Sequence, residues 1–289
     1  MYLKVISDLH LEFGVPYFPT PDVRDPETVV ILAGDINLGA RVHDFIGSLR
    51  NNFNYRAIIF VPGNHEYYKG NIDELNIHFS VCQKEFNEEY DNIFYLTEFG
   101  KVEIDGVTFL GGTMWTDGGK TLKDRRLLEP FMNDFRLIRY GQPATPDEKR
   151  FTSEEMYKRF LKFTDRLASA LADIEVTDDS RVVLITHHMP DYQCIHPMYQ
   201  GSDINGGFAV DLIDYVPSSL LNKIDVMVFG HTHSQMVQPI QIQGCSRKTQ
   251  MICNPRGYPR RHISTGERVF ENREYDDTLL YDLKAKAFE

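Results

Sequence analysis

The sequence predicts an α/β fold with mixed sheet, and three features carry that expectation: short apolar runs cut off by polar residues, an amphipathic stretch with a capping signal, and an Asp-Gly turn between alternating segments. The runs are Leu3 to Ile6, Val29 to Leu32, Ala57 to Val61, Val182 to Ile185, Val226 to Phe229 and Met251 to Cys253. Each is short, rich in β-branched residues and followed at once by polar ones, as a buried strand is. Thr152 opens the clearest helix, with Glu155 placed for a capping box and Met156, Phe160, Phe163, Leu167 and Leu171 recurring on one face. That face is core. Asp105-Gly106 divides Lys101 to Leu110 into two alternating halves and predicts a hairpin, which makes the sheet content mixed rather than purely parallel. Two irregular segments, 111–151 and 189–208, read as insertions in a single domain spanning residues 1–289.

At 289 residues the chain can bury a sizeable core. Its net charge of -11 argues against general binding to nucleic acid or a membrane surface, which needs a basic face, and favours a small substrate. Cys82, Cys194, Cys245 and Cys253 lie scattered without CxxC spacing, as reduced thiols do. With no visible signal sequence and no run of transmembrane length, the expectation is a cytoplasmic protein. Nothing in the sequence specifies an oligomeric state.

The polar groups that end the apolar runs form a series: Asp8-Leu9-His10, Gly34-Asp35, Gly63-Asn64-His65-Glu66, Thr186-His187-His188 and Gly230-His231-Thr232-His233. In open α/β sheets ligands bind at the carboxyl ends of strands, so five such ends can converge on one site. Carboxylate, imidazole and one amide oxygen suit Mn, Fe, Zn or Ni better than an all-oxygen calcium cage or an all-thiolate site. The set is too large for one ion. Two divalent transition-metal ions sharing a carboxylate account for it, with Asp35 as the natural bridge.

In that order the pattern D-x-H, GD, GNH[ED], H, GHxH resembles the signature of the calcineurin-like metallophosphoesterases, from the first strand to at least Pro255. Shorter stretches, Gly112 to Asp117, Met132 to Arg136, Thr186 to Pro190 and Cys253 to Tyr258, resemble a bacterial and phage branch of that family. The resemblance implies a four-layer αββα sandwich of two mixed sheets, with Asp8, His10, Asp35 and His233 on one metal and Asp35, Asn64, His187 and His231 on the other. It further implies in-line attack of a metal-bridging hydroxide on a phosphodiester or phosphomonoester. His65 follows a ligand without being one, so its imidazole is free to protonate the leaving group. Glu66, His188, Asn254 and Arg256 are candidates for substrate contact or for orienting the site.

Taken singly, each short motif is more often a turn or a cap than a site. Five in the required order reverse that judgement. His43 and His78 fall in helical stretches and read as surface or packing histidines, and His196 as a solvent-exposed loop residue. Asn254 and Arg256 fit a loop-fixing role as well as a phosphate-facing one. The protein phosphatases of this superfamily carry GDxVDRG, whereas Ile36-Asn37-Leu38-Gly39 follow Gly34-Asp35 here, without the arginine. A repair-type nuclease would bring a basic groove. A small organic phosphate or nucleotide is therefore the favoured substrate, and a non-catalytic metal-binding scaffold is the alternative from another class.

Overall fold

The described residues, 1–177 and 180–289 of a computed structural model, contain two six-stranded sheets. In the first, β1 (Tyr2–Ile6), β2 (Thr28–Ala33), β3 (Ala57–Val61) and β4 (Ile93–Tyr95) run parallel in that order, and β15 (Tyr281–Asp282) and β16 (Ala287–Phe288) extend the β1 edge antiparallel. In the second, β12 (Thr249–Cys253), β10 (Val226–Val228), β9 (Arg181–Ile185) and β6 (Val107–Gly111) are parallel neighbours, flanked by antiparallel β11 (Met236–Ile240) and β5 (Gly100–Ile104). The predicted Ala57–Val61 strand coincides with β3, and the other five differ at their ends by one or two residues. Asp105 (φ 50°) and Gly106 (φ 78°) form the expected turn between β5 and β6.

Alternation along the strands explains the layering. Leu3, Val5, Val29, Ile31, Ile59 and Val61 share one buried cluster with Phe109, Val183, Ile185, Val226 and Ile252 of the other sheet, so this is the seam between the sheets. The intervening residues, among them Val30, Leu32, Ile58, Phe60, Leu184 and Met227, belong to a second cluster that holds the helices. It takes in Val42, Phe45, Ile46 and Leu49 of α1 (Arg41–Asn52), Ile72 and Phe79 of α2 (Ile72–Glu89), and the apolar face of α5 (Ser153–Ala172). Strands buried on both faces read as continuous apolar runs. The result is the αββα sandwich.

The two longest helices have identifiable starts. Asn71 accepts the amide N–H groups of Asp73 and Glu74 at 3.0 and 3.3 Å before α2. Thr152 accepts that of Glu155 at 3.2 Å, but the Glu155 carboxylate turns outward to Arg159 at 3.0 Å, so half of the expected capping box is formed.

The segment 111–151 contains α3 (Leu122–Leu128), α4 (Asp134–Leu137) and the pair β7 (Arg139–Tyr140) and β8 (Lys149–Arg150). The segment 189–208 is a string of short 3-10 turns. Between β12 and β15 lie α-helix-free loops and the small antiparallel pair β13 (Pro259–Arg261) and β14 (Arg268–Phe270), while α6 (Ser218–Leu221) precedes β10. All four cysteines are free thiols. No helix among the described residues is long and apolar enough to cross a membrane.

Candidate metal centre

Five loops, each following a parallel strand, place their side chains together. Asp8 and His10 follow β1, Asp35 follows β2, Asn64 and His65 follow β3, His187 follows β9, and His231 and His233 follow β10. Backbone bonds knit them: the Asp8 N–H donates to Gly34 O and the His10 N–H to Asp35 O, both at 3.0 Å, and the Gly257 N–H donates to Asp8 O at 3.0 Å. Gly34 and Gly63 are required by contact. A Cβ on Gly34 would sit 2.3 Å from His187 Nδ1, and one on Gly63 would sit 2.2 Å from Asp35 Oδ1.

The backbone itself is strained here. Asp8, His10, Asp35, His231 and His233 have φ of 52°, 49°, 56°, 68° and 50°. Left-handed backbone costs a residue with a Cβ about 1–2 kcal/mol. Such outliers cluster where a site over-determines them.

Asp35 stands between two groups. Its Oδ2 is 3.9 Å from His10 Nε2, and its Oδ1 is 3.4 Å from His187 Nε2. Asp8, His10 and His233 form one set of donors close enough for a metal ion, and Asp35, His187 and His231 form another. Asn64 joins the second, with Oδ1 3.1 Å from His187 Nε2.

The imidazole tautomers test whether cations fit. His10 Nδ1 faces Glu12 Oε1 at 3.1 Å, and His233 Nδ1 faces Glu271 Oε2 at 2.7 Å, so each Nδ1 carries the proton and each Nε2 presents a lone pair. Those two Nε2 atoms lie 3.0 Å apart. His187 donates Nδ1–H to Ala33 O at 2.9 Å, which turns its Nε2 lone pair toward the oxygens of Asn64 and Asp35. His231 Nε2 is buried with no partner. Acceptors facing acceptors repel unless positive charge lies between them, and divalent ions supply it. Without metal, protons stand in. Burial opposes protonation of His187, but Asp35 outweighs it and lifts the pKa to about 9. Burial likewise opposes protonation of His233, and the bonds to Asp8 and Glu271 lift it to about 10.

A sequence model of the calcineurin-like phosphoesterases matches residues 1–235. The chain belongs to that family. It is a metal-dependent phosphoesterase, and its His/Asp groups, the overlapping set of His10, Asp35 and His65 among them, provide for a pair of divalent ions. Its relatives include protein L509 of Acanthamoeba polyphaga mimivirus, an uncharacterized protein, 27% identical over 267 residues that cover 80% of this chain and 84% of that one. The phosphopantetheinyl hydrolase of Mycobacterium tuberculosis superposes with a TM-score of 0.59 at 14% identity, covering 95% of this chain and 97% of that one. A dimetal phosphatase from Danio rerio superposes at 0.47 and 14% identity over 87% and 86%.

Around the phosphoesterase centre, several side chains with no motif of their own hold the expected residues in place. Glu12 bonds to both His10 and His65, the latter through Nδ1 at 2.8 Å. Burial works against its charge, but these two histidines hold its pKa down to about 2. His65 Nε2 meets the Tyr258 hydroxyl at 3.0 Å, and Tyr68 lies under the ring with centroids 4.2 Å apart. Both His65 nitrogens are thus engaged, unlike His231 Nε2.

Glu66 is turned away from the ions' place. One carboxylate oxygen accepts the N–H groups of Asp35 and Gly63 at 2.9 and 2.7 Å, and the other accepts those of Ile36 and Asn37 at 2.7 and 3.1 Å. Burial and the Asp35 charge push its pKa up to about 7 against the pull of those amides.

The remaining candidates are fixed to backbone. Arg256, for which the sequence left a loop-fixing and a phosphate-facing role open, donates to Leu9 O and Val15 O and packs on Phe270, 4.4 Å from the ring centre. Asn254 donates to Val5 O and Asp276 O at 3.0 and 2.7 Å. His188 is buried behind the centre, its ring 4.5 Å from that of His231 and its Nδ1 3.3 Å from Thr113 O. Burial and His187 lower its pKa to about 3, which leaves it neutral.

The centre opens into a cleft of about 710 Å³ reached by Asp35, Asn64, His65, His231 and His233. Both irregular segments line it, the first through Phe131 to Asp134 and the second through Met189 and residues from Ile195 to Phe208, His196 included. A third wall, Glu271 to Glu274, comes from the loop after β14 and carried no signal in the sequence.

Proposed function

We propose that the protein hydrolyses a phosphodiester or phosphomonoester of a small organic molecule, such as a nucleotide, whose apolar or aromatic part lies in the cleft. Asp8, His10, Asp35 and His233 hold one divalent ion and Asp35, Asn64, His187 and His231 the other, with Mn, Fe, Zn and Ni all suited to these donors. The observation that carries the reading is the set of imidazole lone pairs aimed at each other and at Asp35. When bound, such a pair supplies Lewis-acid polarisation of the phosphoryl oxygens and a water of lowered pKa as nucleophile. His65 donates a proton to the leaving oxygen; burial disfavours its charged form, but Asp35 and Glu12 outweigh that and raise its pKa. Glu12 fixes its tautomer and aim.

The cleft supports the substrate class. Its volume is that of a small-molecule site, and Phe131, Met132, Met198, Tyr199, Ile204 and Phe208 give it an apolar side. Its lining sets Arg273 among Asp134, Glu271 and Glu274, not the row of Lys and Arg that a nucleic-acid backbone needs. Four free thiols fit a reducing, cytoplasmic setting.

The test is hydrolysis of bis-p-nitrophenyl phosphate and p-nitrophenyl phosphate by protein reconstituted with each of Mn, Fe, Zn and Ni. At least one ester should be turned over, and Asp35→Asn should lose both the activity and bound metal. Full metal occupancy with neither ester cleaved would favour the scaffold. A Glu12→Gln variant, which keeps the hydrogen-bonding shape and drops the charge, should lower kcat by about 10- to 100-fold. Unchanged kcat would remove Glu12 from the account.

A further inference from the structure

A second constellation of metal-binding side chains lies outside the dinuclear centre and shares no residue with it. On α2, His78, Cys82 and Glu85 stand at i, i+4 and i+7, one stripe of a helix, and His43 reaches the same place from the first turn of α1. A ring nitrogen of His43, Cys82 Sγ and a Glu85 carboxylate oxygen all lie within 4.8 Å of one another. His78 Nε2 is 3.3 Å from Cys82 Sγ. We propose that His43, His78, Cys82 and Glu85 bind a zinc ion that ties α1 to α2.

Thiolate, two imidazoles and a carboxylate make a closed tetrahedral set of the kind zinc takes in structural sites, softer than any set in the dinuclear centre. Donors on one tetrahedral zinc lie about 3.3–3.8 Å apart, given bonds of about 2.0–2.3 Å. The Cys82–His78 pair already has that separation, and the exposed side chains of His78 and Glu85 can swing through the remaining gap. Cys82 itself is 2% exposed, held where a structural ligand belongs. His43 is steadied by the Tyr95 hydroxyl, 3.3 Å from Nδ1, and by the Phe86 ring at 4.3 Å. Burial raises the Cys82 pKa, and then Glu85 and Asp44 raise it further; those two carboxylates are also what draws a cation, which in turn favours the thiolate.

Cobalt(II) substitution tests this directly. The dinuclear centre has only nitrogen and oxygen donors, so a thiolate-to-cobalt charge-transfer band reports the α1–α2 site alone. Wild-type protein should show that band and hold one more zinc per chain than Cys82→Ser. Cys82→Ser should lose the band and keep its hydrolytic activity, while Cys245→Ser keeps the band. His78→Ala, a change at an exposed position, should keep the fold and weaken cobalt binding at this site at least tenfold. A cobalt-loaded protein with no thiolate band, or a band that survives Cys82→Ser, would overturn the proposal.

Discussion

Replacing His65 with asparagine should reduce kcat by about 10²- to 10⁴-fold, the usual contribution of a positioned general acid, while the dinuclear ions remain bound. The loss should also depend on the leaving group. A p-nitrophenolate departs without much help, whereas an alkoxide needs its proton in the transition state, so alkyl phosphoesters should suffer more than nitrophenyl ones. The geometry asks for this. His65 Nε2 points into the cleft against Tyr258, its Nδ1 is committed to Glu12, and its backbone N–H holds Asp35 Oδ1 at 2.9 Å. Rates measured across a series of leaving groups, with metal content determined on the same samples, check it. An equal loss for every leaving group would mean that His65 stabilises charge without donating a proton.

Glu66→Ala should cost about 3–5 kcal/mol of stability, because four amide N–H groups, three of them buried, lose their acceptor together. Glutamine will not repair it. Each carboxylate oxygen takes two donors, so whichever way the amide is turned its NH2 group confronts two N–H groups. Both variants should also bind metal more weakly, since the Glu66 carboxylate fastens the Asp35 loop to the Gly63 loop. Thermal melts with and without metal provide the check. A Glu66→Gln protein melting within a degree or two of wild type would show that the loops hold without the carboxylate.

What the sequence made legible followed the chain's local order. Six buried strands could be seen because parallel strands covered on both faces are apolar without interruption, and the candidate ligands stood out because each comes just after such a strand. Glu12 was overlooked although Asp8, His10 and Glu12 alternate in plain view. It lies in a 3-10 turn, not in a strand, and its value comes from reaching both His10 and His65. Tyr258 lay inside a recognised stretch without a role. Glu271 lacked even that, since nothing local links it to His233, 38 residues earlier. Arg256 stayed open between two roles because its charge suits phosphate as well as backbone, and only the folded chain shows the two carbonyl oxygens and the aromatic face that engage it. His43 read as a packing residue because its nearness to Cys82 and Glu85 exists only once α1 meets α2, whereas the spacing of His78, Cys82 and Glu85 along α2 was open to view.

The left-handed backbone at Asp8, His10, Asp35, His231 and His233 makes durability and chemistry compete for the same five positions. Glycine would sit there without steric penalty but would bring no donor atom. On the proposed ligand assignment, thermostabilisation guided by backbone geometry alone would lead straight to the residues it must leave untouched.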